Sequence, residues 1–275
     1  MTPCPAQYIV YAQPIHFLRP RLGIVITYEF PLNERVRTML RLEDLYSRVG
    51  HFIERDTGND HHAAIDVLFE LIEVAGRADL KADLLQELDR QKRMLIGLQD
   101  NPDVSADALG AVLEKIERCS ESLLAITGKV GQHLRENEWL MSIKQRASIP
   151  GGTCEFDLPS YHYWQQQNPA TRRHYFNDWM EPLQPIRRAM SIVLKLLRES
   201  GKEHRLTAQH GNFQQMQGGR MAQMLRITLD DELPCIPEIS ANKYALSIRF
   251  ICADFAAKTT LFDHDVEFDL IFCSL

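Results

Sequence analysis

The side chains able to do metal or covalent chemistry are scattered along this sequence, not gathered. His61 and His62 are adjacent, so on a helix they diverge by about 100° and cannot hold one metal ion between them. Asp263-His264-Asp265 has the composition of a metal cluster, but at the start of a strand neighbours alternate between faces, which favours a solvated edge. His162 and His174 lie among aromatic residues and arginines with no second ligand at metal spacing, so they read as hydrogen-bonded structural histidines. Six cysteines, Cys4, Cys119, Cys154, Cys235, Cys252 and Cys273, lie far apart without a CxxC pair. That spacing suits the reduced thiols of a cytosolic protein better than a disulfide frame or a zinc site. GxSxG elbow, P-loop, HExxH pair and post-strand glycine fingerprint are all missing, and each would have been a specific signal. The expectation is a protein without catalysis, metal or cofactor.

Ionic recognition is the chemistry left open. A net charge of -6 over 275 residues repels phosphate backbones and anionic membranes. Neither nucleic acid nor a membrane surface is therefore an expected partner, and any acidic partner must meet a local basic patch. Arg35, Arg37, Arg41 and Arg48 crowd one early segment. Asp44 and Arg48 can pair at a four-residue spacing, whereas Arg37 and Arg41 are like charges at that spacing. Two readings stand, an anion held by those arginines or a merely solvated face; no groove-reading motif accompanies them. With 45% hydrophobic residues the chain can bury a proper core. No stretch approaches the roughly 20 apolar residues of a membrane span. Tyr8 to Leu18 is apolar, but it lacks basic residues ahead of it, and Pro5, Pro14 and Pro20 interrupt the region. A secretory signal is thus not expected, and a cytoplasmic location is.

Helices, and later strands, must position these groups. LGIVITYEF from Leu22 to Phe30 is β-branched and aromatic with Ile24, Ile26, Tyr28 and Phe30 on one side, predicting a strand that Pro31 breaks. Asn33 is a good N-cap, and Val36, Met39, Leu42, Leu45, Val49 and Phe52 share one helical face. Ile65, Leu68, Phe69 and Ile72 mark a helix closed by Gly76. Asp79 caps the next, with Leu84, Leu85, Leu88, Leu95 and Leu98 apolar, before an Asn101-Pro102 turn. Leu109, Leu113, Ile116, Leu123 and Leu124 define a third between Asp107 and Ile126, and a short helix spans Glu138 to Arg146. Short connections imply an antiparallel bundle.

The run RASIPGGTCEFDLPSYHYW, from Arg146 to Trp164, interrupts this regularity. Pro150 stops a helix, Gly151 and Gly152 open backbone angles closed to other residues, and Asp157-Leu158-Pro159 restarts the chain. From the residues alone it reads as a rigid interdomain joint. Short helices follow at Ser160 to Gln166 and Thr171 to Met180, the second with Arg172 and Arg173 exposed. A long helix from Pro182 to Ser200 tolerates Pro185 in its first turn, buries Leu183, Ile186, Met190, Val193, Leu194 and Leu197, and stops at Gly201. The period then changes to two. Leu225, Ile227 and Leu229 mark one strand, Tyr244, Leu246, Ile248 and Phe250 another, and Val266, Phe268, Leu270 and Phe272 a third whose alternate positions Asp265, Glu267 and Asp269 are acidic. Gly211-Asn212 and Gly218-Gly219 supply hairpin-like turns. The early strand has no partner nearby, so it is assigned to this C-terminal sheet, bringing the chain ends together. The expected fold is α+β: an antiparallel helical bundle domain over residues 32–200, and a smaller antiparallel β-sheet domain of 22–31 with 201–275, preceded by an N-terminal extension, 1–21.

Four blocks in order carry a family resemblance: YEFPLNERVRTMLRL at Tyr28 to Leu42, DLLQELDRQKR at Asp83 to Arg93, the Lys144 to Trp164 segment with SIPGG, FDLP, His162 and Trp164, and NKYALSIRF at Asn242 to Phe250. Together they resemble the ZapD family of bacterial cell-division proteins. The resemblance implies a helical domain plus a β-domain in a homodimer that binds the C-terminal tail of FtsZ and bundles its filaments at the midcell division site, without catalysis or cofactor. Two departures accompany it: residues 1–21 precede the family's usual beginning, as an upstream start or a mobile extension, and Ala245 stands where relatives can carry a basic residue.

On that basis the tail, a short peptide with apolar and charged residues, calls for a groove with an apolar floor and basic rims. Arg226, Lys243 and Arg249 project from the sheet as the first choice for those rims, with Arg146 reaching in from the junction. The alternative is that the three sheet cations pair with Asp265, Glu267 and Asp269, each pair contributing about 0.2–1 kcal/mol. If FtsZ is not the partner, the same dimer serves as a cytoplasmic adaptor for another protein.

Overall fold

The computed structural model describes residues 24–77, 79–99, 101–102, 104–216, 222–242, 244–254, 256 and 258–274. Residues 1–21, Gly218-Gly219 and Lys243 thus lie outside the described residues. Strand β1 (Val25–Pro31) leads into α1 (Glu34–Ile53), α2 (Gly58–Arg77), α3 (Leu80–Ile96), α4 (Ala106–Leu124), α5 (Gln132–Arg135), α6 (Glu138–Ala147), α7 (Pro159–Gln165), α8 (Pro169–Met180) and α9 (Gln184–Glu199). Strands β2 (Glu203–Ala208), β3 (Asn212–Met216), β4 (Met224–Asp230), β5 (Cys235–Ala241), β6 (Ala245–Cys252) and β7 (Val266–Cys273) follow. The architecture is α+β, as expected.

Asn33 Oδ1 accepts a hydrogen bond from the Val36 N–H at 2.8 Å, satisfying one of the orphan donors of the first turn. The α1 face then buries Val36, Met39, Leu42, Leu45 and Val49. Helix α1 lies along α2, and α9 packs against α1, α3 and α4. A single apolar cluster joins these helices, with Leu42, Leu68, Leu88, Ile143, Ile186 and Leu194 fully buried. Each such side chain contributes about 1.5–3 kcal/mol relative to exposure.

The C-terminal part is two sheets, not one. The first has the order β1-β4-β7-β2 and the second β3-β6-β5, and every pairing is antiparallel. Leu225, Ile227, Leu229, Phe268, Leu270, Leu246, Ile248 and Phe250 fill the space between them, with the Phe268 ring 5.2 Å from Phe250 and 5.3 Å from Phe213. The opposite face of the first sheet meets the helices: Met224 and Cys273 belong to the helical core, and Ile271 packs on it. The end of β7 is covered on both faces, so its alternation dissolves into the run Leu270-Ile271-Phe272-Cys273. Strand β1 does join this sheet, but next to β4 and not next to the last strand.

Several local expectations are corrected. Strands β2, β3 and β5 lie at sheet edges, where one-sided exposure leaves polar sequences such as NFQQM without an alternating signal. Gln209 bridges Asn212 around a tight turn with His210 at φ 46° and Gly211 at φ 70°. It is no hairpin within a sheet, because it passes the chain from the first sheet to the second. A Cβ on Gly211 would collide with the Phe262 carbonyl oxygen, so glycine is required there. Gly76 lies inside α2, which continues to Arg77. Asp79 stands at an N-cap position without a side-chain bond, and Leu124 is exposed, the buried face of α4 running through Ile116, Cys119 and Leu123. The Arg146 to Trp164 segment runs along the surface of the helical part from Arg146 to Gly151 and is anchored to the helical core, not to the sheets, by Leu158, Tyr161 and Trp164.

Arg172 is the largest reversal. Expected at the surface, it is 4% exposed. Its Nε donates to His61 Nδ1 at 2.7 Å and one Nη to the Gln165 carbonyl at 2.7 Å, with further bonds to the Gln167 and Asp56 carbonyls. His61 Nε2 in turn donates to the Ile53 carbonyl at 3.2 Å. The cation is retained inside because three backbone oxygens, two at the end of α7 and one just after α1, would otherwise lack donors.

Candidate functional site

Of the four cations expected to line one groove, Lys243 lies outside the described residues, and the other three are not brought together. Arg226 points from the outer face of the first sheet toward the helices, where its Nε lies 3.3 Å from Glu29. Arg249 is exposed on β6 of the second sheet, opposite Asn212 and Glu238 in register. Since the two sheets pack through their inner faces, Arg226 and Arg249 face away from each other. Arg146, at the end of α6, lies 3.5 Å from Asp157; α6 packs on α2 and α5, while helix-to-sheet packing runs through α1 and α9. Among the described residues, neither Arg226 nor Arg249 forms the alternative ion pair with Asp265 or Glu267 of the acidic segment. Arg205 takes Glu267 at 2.6 Å and Asp269 at 3.3 Å, and Asp265 accepts from the His210 N–H at 2.9 Å.

Around Arg226 a charge cluster ties helices to sheet. Arg198, in the last turn of α9, donates to Glu29 at 2.8 and 2.7 Å and to Glu43 of α1 at 2.9 and 2.5 Å. The hydrogen bonds it donates to Glu43 and, next in weight, to Glu29 hold its guanidinium above its ordinary range. These are two-pronged charge-assisted bonds in a mostly covered site, so the cluster acts as a clamp.

The histidines and the early arginines occupy ordinary surface or structural positions. His162 lies 3.6 Å from Glu155 and His174 3.6 Å from Asp178, both substantially exposed, in place of the internal hydrogen bonding expected of them. His62 Nδ1 is 2.6 Å from the Tyr161 hydroxyl. Arg37 pairs with Glu34 at 3.2 Å, and Arg48 lies 3.8 Å from Asp44 and 3.4 Å from Glu70. Asp263 faces His210 at 3.3 Å.

A basic groove does exist, between α4 and α9. Lys115 and Arg118 of α4 and Arg187 and Arg188 of α9 line it with Gln184, Ser122, Ser191, Cys119 and Ile192, around a cavity of about 520 Å³. No lining residue is acidic. Arg118 has Glu114 as a partner on its own helix; Lys115, Arg187 and Arg188 make no ion pair among the described residues. Arg187 sits 5.9 Å over the Tyr46 ring, a cation–π contact that leaves its donors free. Burial holds the Cys119 thiol above its ordinary range, against the pull of Arg188. The N-terminus of α9 at Gln184 adds the positive end of a helix dipole. The groove thus offers an apolar floor, basic rims and hydroxyl or amide donors, which suits an extended peptide with apolar and negatively charged side chains.

These four cations escaped the sequence reading, and a partial signal was present. Gln184, Arg187, Arg188 and Ser191 share one face of α9, and Lys115, Arg118 and Ser122 one face of α4, at helical spacings of three, four and seven. Nothing local says that the two faces meet.

The Lys144 to Trp164 block builds a second feature. Trp164 stacks on Tyr161 at 5.9 Å and meets Trp139 at 5.6 Å and Trp179 at 6.2 Å. With Tyr163 and Tyr175 the three tryptophans face a cavity of about 470 Å³ that carries no charged lining residue. Such a cluster anchors α6, α7 and α8 to one another.

Comparison with known proteins places this architecture. Residues 40–249 match the ZapD family, described as a cell division protein. Cell division protein ZapD of Chromobacterium violaceum is 57% identical over 250 residues, covering 90% of this chain and 99% of that one. The proteins of that name from Aromatoleum aromaticum and Dechloromonas aromatica are 54% and 53% identical over 251 and 254 residues, 91% of this chain in each case and 98% and 100% of theirs. No helix among the described residues is long and apolar enough to cross a membrane. With the family match spanning most of the chain and these relatives aligned nearly end to end, the chain belongs to the ZapD family of cell division proteins.

Proposed function

We propose that this protein is a non-enzymatic cell-division factor that grips the C-terminal tail of FtsZ in the groove between α4 and α9, and that a homodimer uses two such grips to bundle filaments in the cytoplasm at midcell. One observation carries the reading: in a chain of net charge -6, Lys115, Arg118, Arg187 and Arg188 line one cavity with no acidic lining residue. Family membership supplies the cell-division context. Arg249, exposed on the second sheet, serves as a peripheral contact for a tail that runs beyond the groove. Arg226 and Arg146, each beside a carboxylate, contribute through the fold around them. Lys243 adjoins the Arg249 strand in sequence and shares its peripheral role.

Bundling needs two grips per particle. A dimer supplies them by symmetry, and simultaneous engagement of two tails raises avidity by roughly 10²-fold or more where the spacing fits.

Co-sedimentation with polymerised FtsZ, run beside FtsZ lacking its tail, tests the assignment. Co-pelleting that requires the tail, and that is lost in the Arg187→Glu/Arg188→Glu variant, is expected. Loss on Arg249→Glu with the groove variant unaffected would move the site to the second sheet. Absence of co-pelleting with either FtsZ form, from folded dimer, would leave an adaptor for a different acidic protein.

A further inference from the structure

Two cysteines distant in sequence stand side by side in the second sheet. Cys235 begins β5, Cys252 ends β6, and they are direct partners across the antiparallel ladder. The backbone bonds identify the kind of pair. Just outside it, the Ala253 N–H donates to the Pro234 carbonyl at 2.9 Å; the Cys252 N–H turns away to Thr260 at 2.9 Å and the Cys235 N–H to Leu233 at 2.8 Å. That arrangement defines a non-hydrogen-bonded pair, whose Cα atoms lie about 4.5 Å apart with both side chains on one face. Disulfides span Cα separations of about 4.4–6.8 Å, so the bond can form without moving either strand.

Access differs between the two thiols. Cys252 is partly exposed, with its Sγ 3.8 Å from the Leu261 carbonyl, whereas Cys235 is 4% exposed in the core between the sheets. Both are free.

We propose that Cys235 and Cys252 form a modification site, a cross-strand dithiol that closes to an intramolecular disulfide by exchange with a small-molecule disulfide such as oxidised glutathione. The Cys252 thiolate attacks one sulfur of the small disulfide, forming a mixed disulfide and releasing one small thiolate. Cys235, as thiolate, then attacks the Cys252 sulfur; the protein S–S bond forms, the mixed bond breaks and a second small thiolate leaves. Two protein thiols lose two electrons and two protons, and the small disulfide takes up both. Burial, reinforced by the neighbouring Cys252, holds the Cys235 thiol above its ordinary range, which assigns it the resolving and not the attacking role. The bond encloses the whole turn from β5 to β6 and with it Arg249, so oxidation tightens the strand pair that carries this cation.

The test is incubation of the folded full-length protein with oxidised glutathione, followed by thiol counting after denaturation, intact mass and peptide mapping. The expected result is loss of the Cys235 and Cys252 thiols with a cross-link between their two peptides. Exposed Cys154 acquires a simple glutathione adduct and reports that the reagent is active. In the Cys235→Ser variant the reaction stops with one glutathione on Cys252; in Cys252→Ser, Cys235 stays unreacted. A stable glutathione adduct on Cys252 of the unaltered protein would overturn the proposal. So would a cross-link that appears only in denaturant, or no reaction at Cys252 while Cys154 is modified.

Discussion

Arg198, in the last turn of α9, is held by Glu29 and Glu43, whereas Arg187 and Arg188, near the start of the same helix, meet no carboxylate among the described residues. One helix thus carries two kinds of cationic end. At the C-terminal end the chain brings β1 and α1 alongside, each with a glutamate, and the charges are consumed in joining helices to sheet. At the N-terminal end the neighbour is α4, whose groove-lining residues are Lys115, Arg118, Cys119 and Ser122, so positive charge accumulates. Counting arginines does not separate these regions; the partners delivered by the fold do. A clamp is recognised by its matched carboxylates, a binding surface by their absence.

The clamp should give the largest effect. Replacing Arg198 with Ala removes the cation that Glu29 and Glu43 share and leaves Arg226 beside Glu29. With the Arg198 side chain 27% exposed, solvent screening reduces the loss from that of a fully buried pair to about 2–3 kcal/mol. Urea denaturation should show the midpoint falling by that amount, with tail affinity preserved in the folded fraction. An unchanged midpoint would reduce the cluster to ordinary surface pairs.

Reversing the groove should do the opposite. Arg187→Glu with Arg188→Glu is expected to weaken tail-peptide binding at least about ten-fold at low salt, and to leave stability within about 0.5 kcal/mol. Fluorescence anisotropy over a salt series checks this, and the variant should also flatten the salt dependence. A large fall in stability instead would make the groove another structural cluster.

Acid separates the regions in a third way. Burial, together with the Arg172 and Arg173 cations, holds the His61 imidazole below its ordinary value of 6.5. The neutral ring is the form that accepts from Arg172, so the unfolded chain takes up the proton first as pH falls. The stabilisation is complete above pH 6.5 and declines as pH drops from there toward the folded value, by at most about 1.4 kcal/mol per pH unit. Stability curves between about pH 7.5 and 5 should fall more steeply for the unaltered protein than for His61→Gln. The proposed tail binding, which rests on lysine and arginine, should stay flat over that range in the folded protein.

Arg249→Glu is the mildest change. Exposed opposite Glu238, it is expected to lower tail affinity only a few-fold, about 0.5–1 kcal/mol, without affecting folding. An effect larger than that of the groove reversal would exchange the two in rank.

Much of this protein was readable from local pattern. The α1 face, the inward residues of α9, and the interior positions of β4, β6 and β7, apart from Tyr244, which precedes β6 and is exposed, follow from apolar spacing measured along one element, because burial on one side imposes the period of the element itself. The four sequence blocks carried the family resemblance by the identity and order of their residues, not by any period. Tertiary structure decided the rest: that Arg172 goes inside to serve carbonyls at two helix ends, that Arg226 faces helices while Arg249 faces solvent, that Lys115 and Arg118 meet Arg187 and Arg188, and that Cys235 stands beside Cys252. Each of these depends on which distant segment arrives next to a side chain. A one-dimensional period carries no record of that arrival, whereas the energy of a charge or thiol is set almost entirely by its nearest neighbours in space.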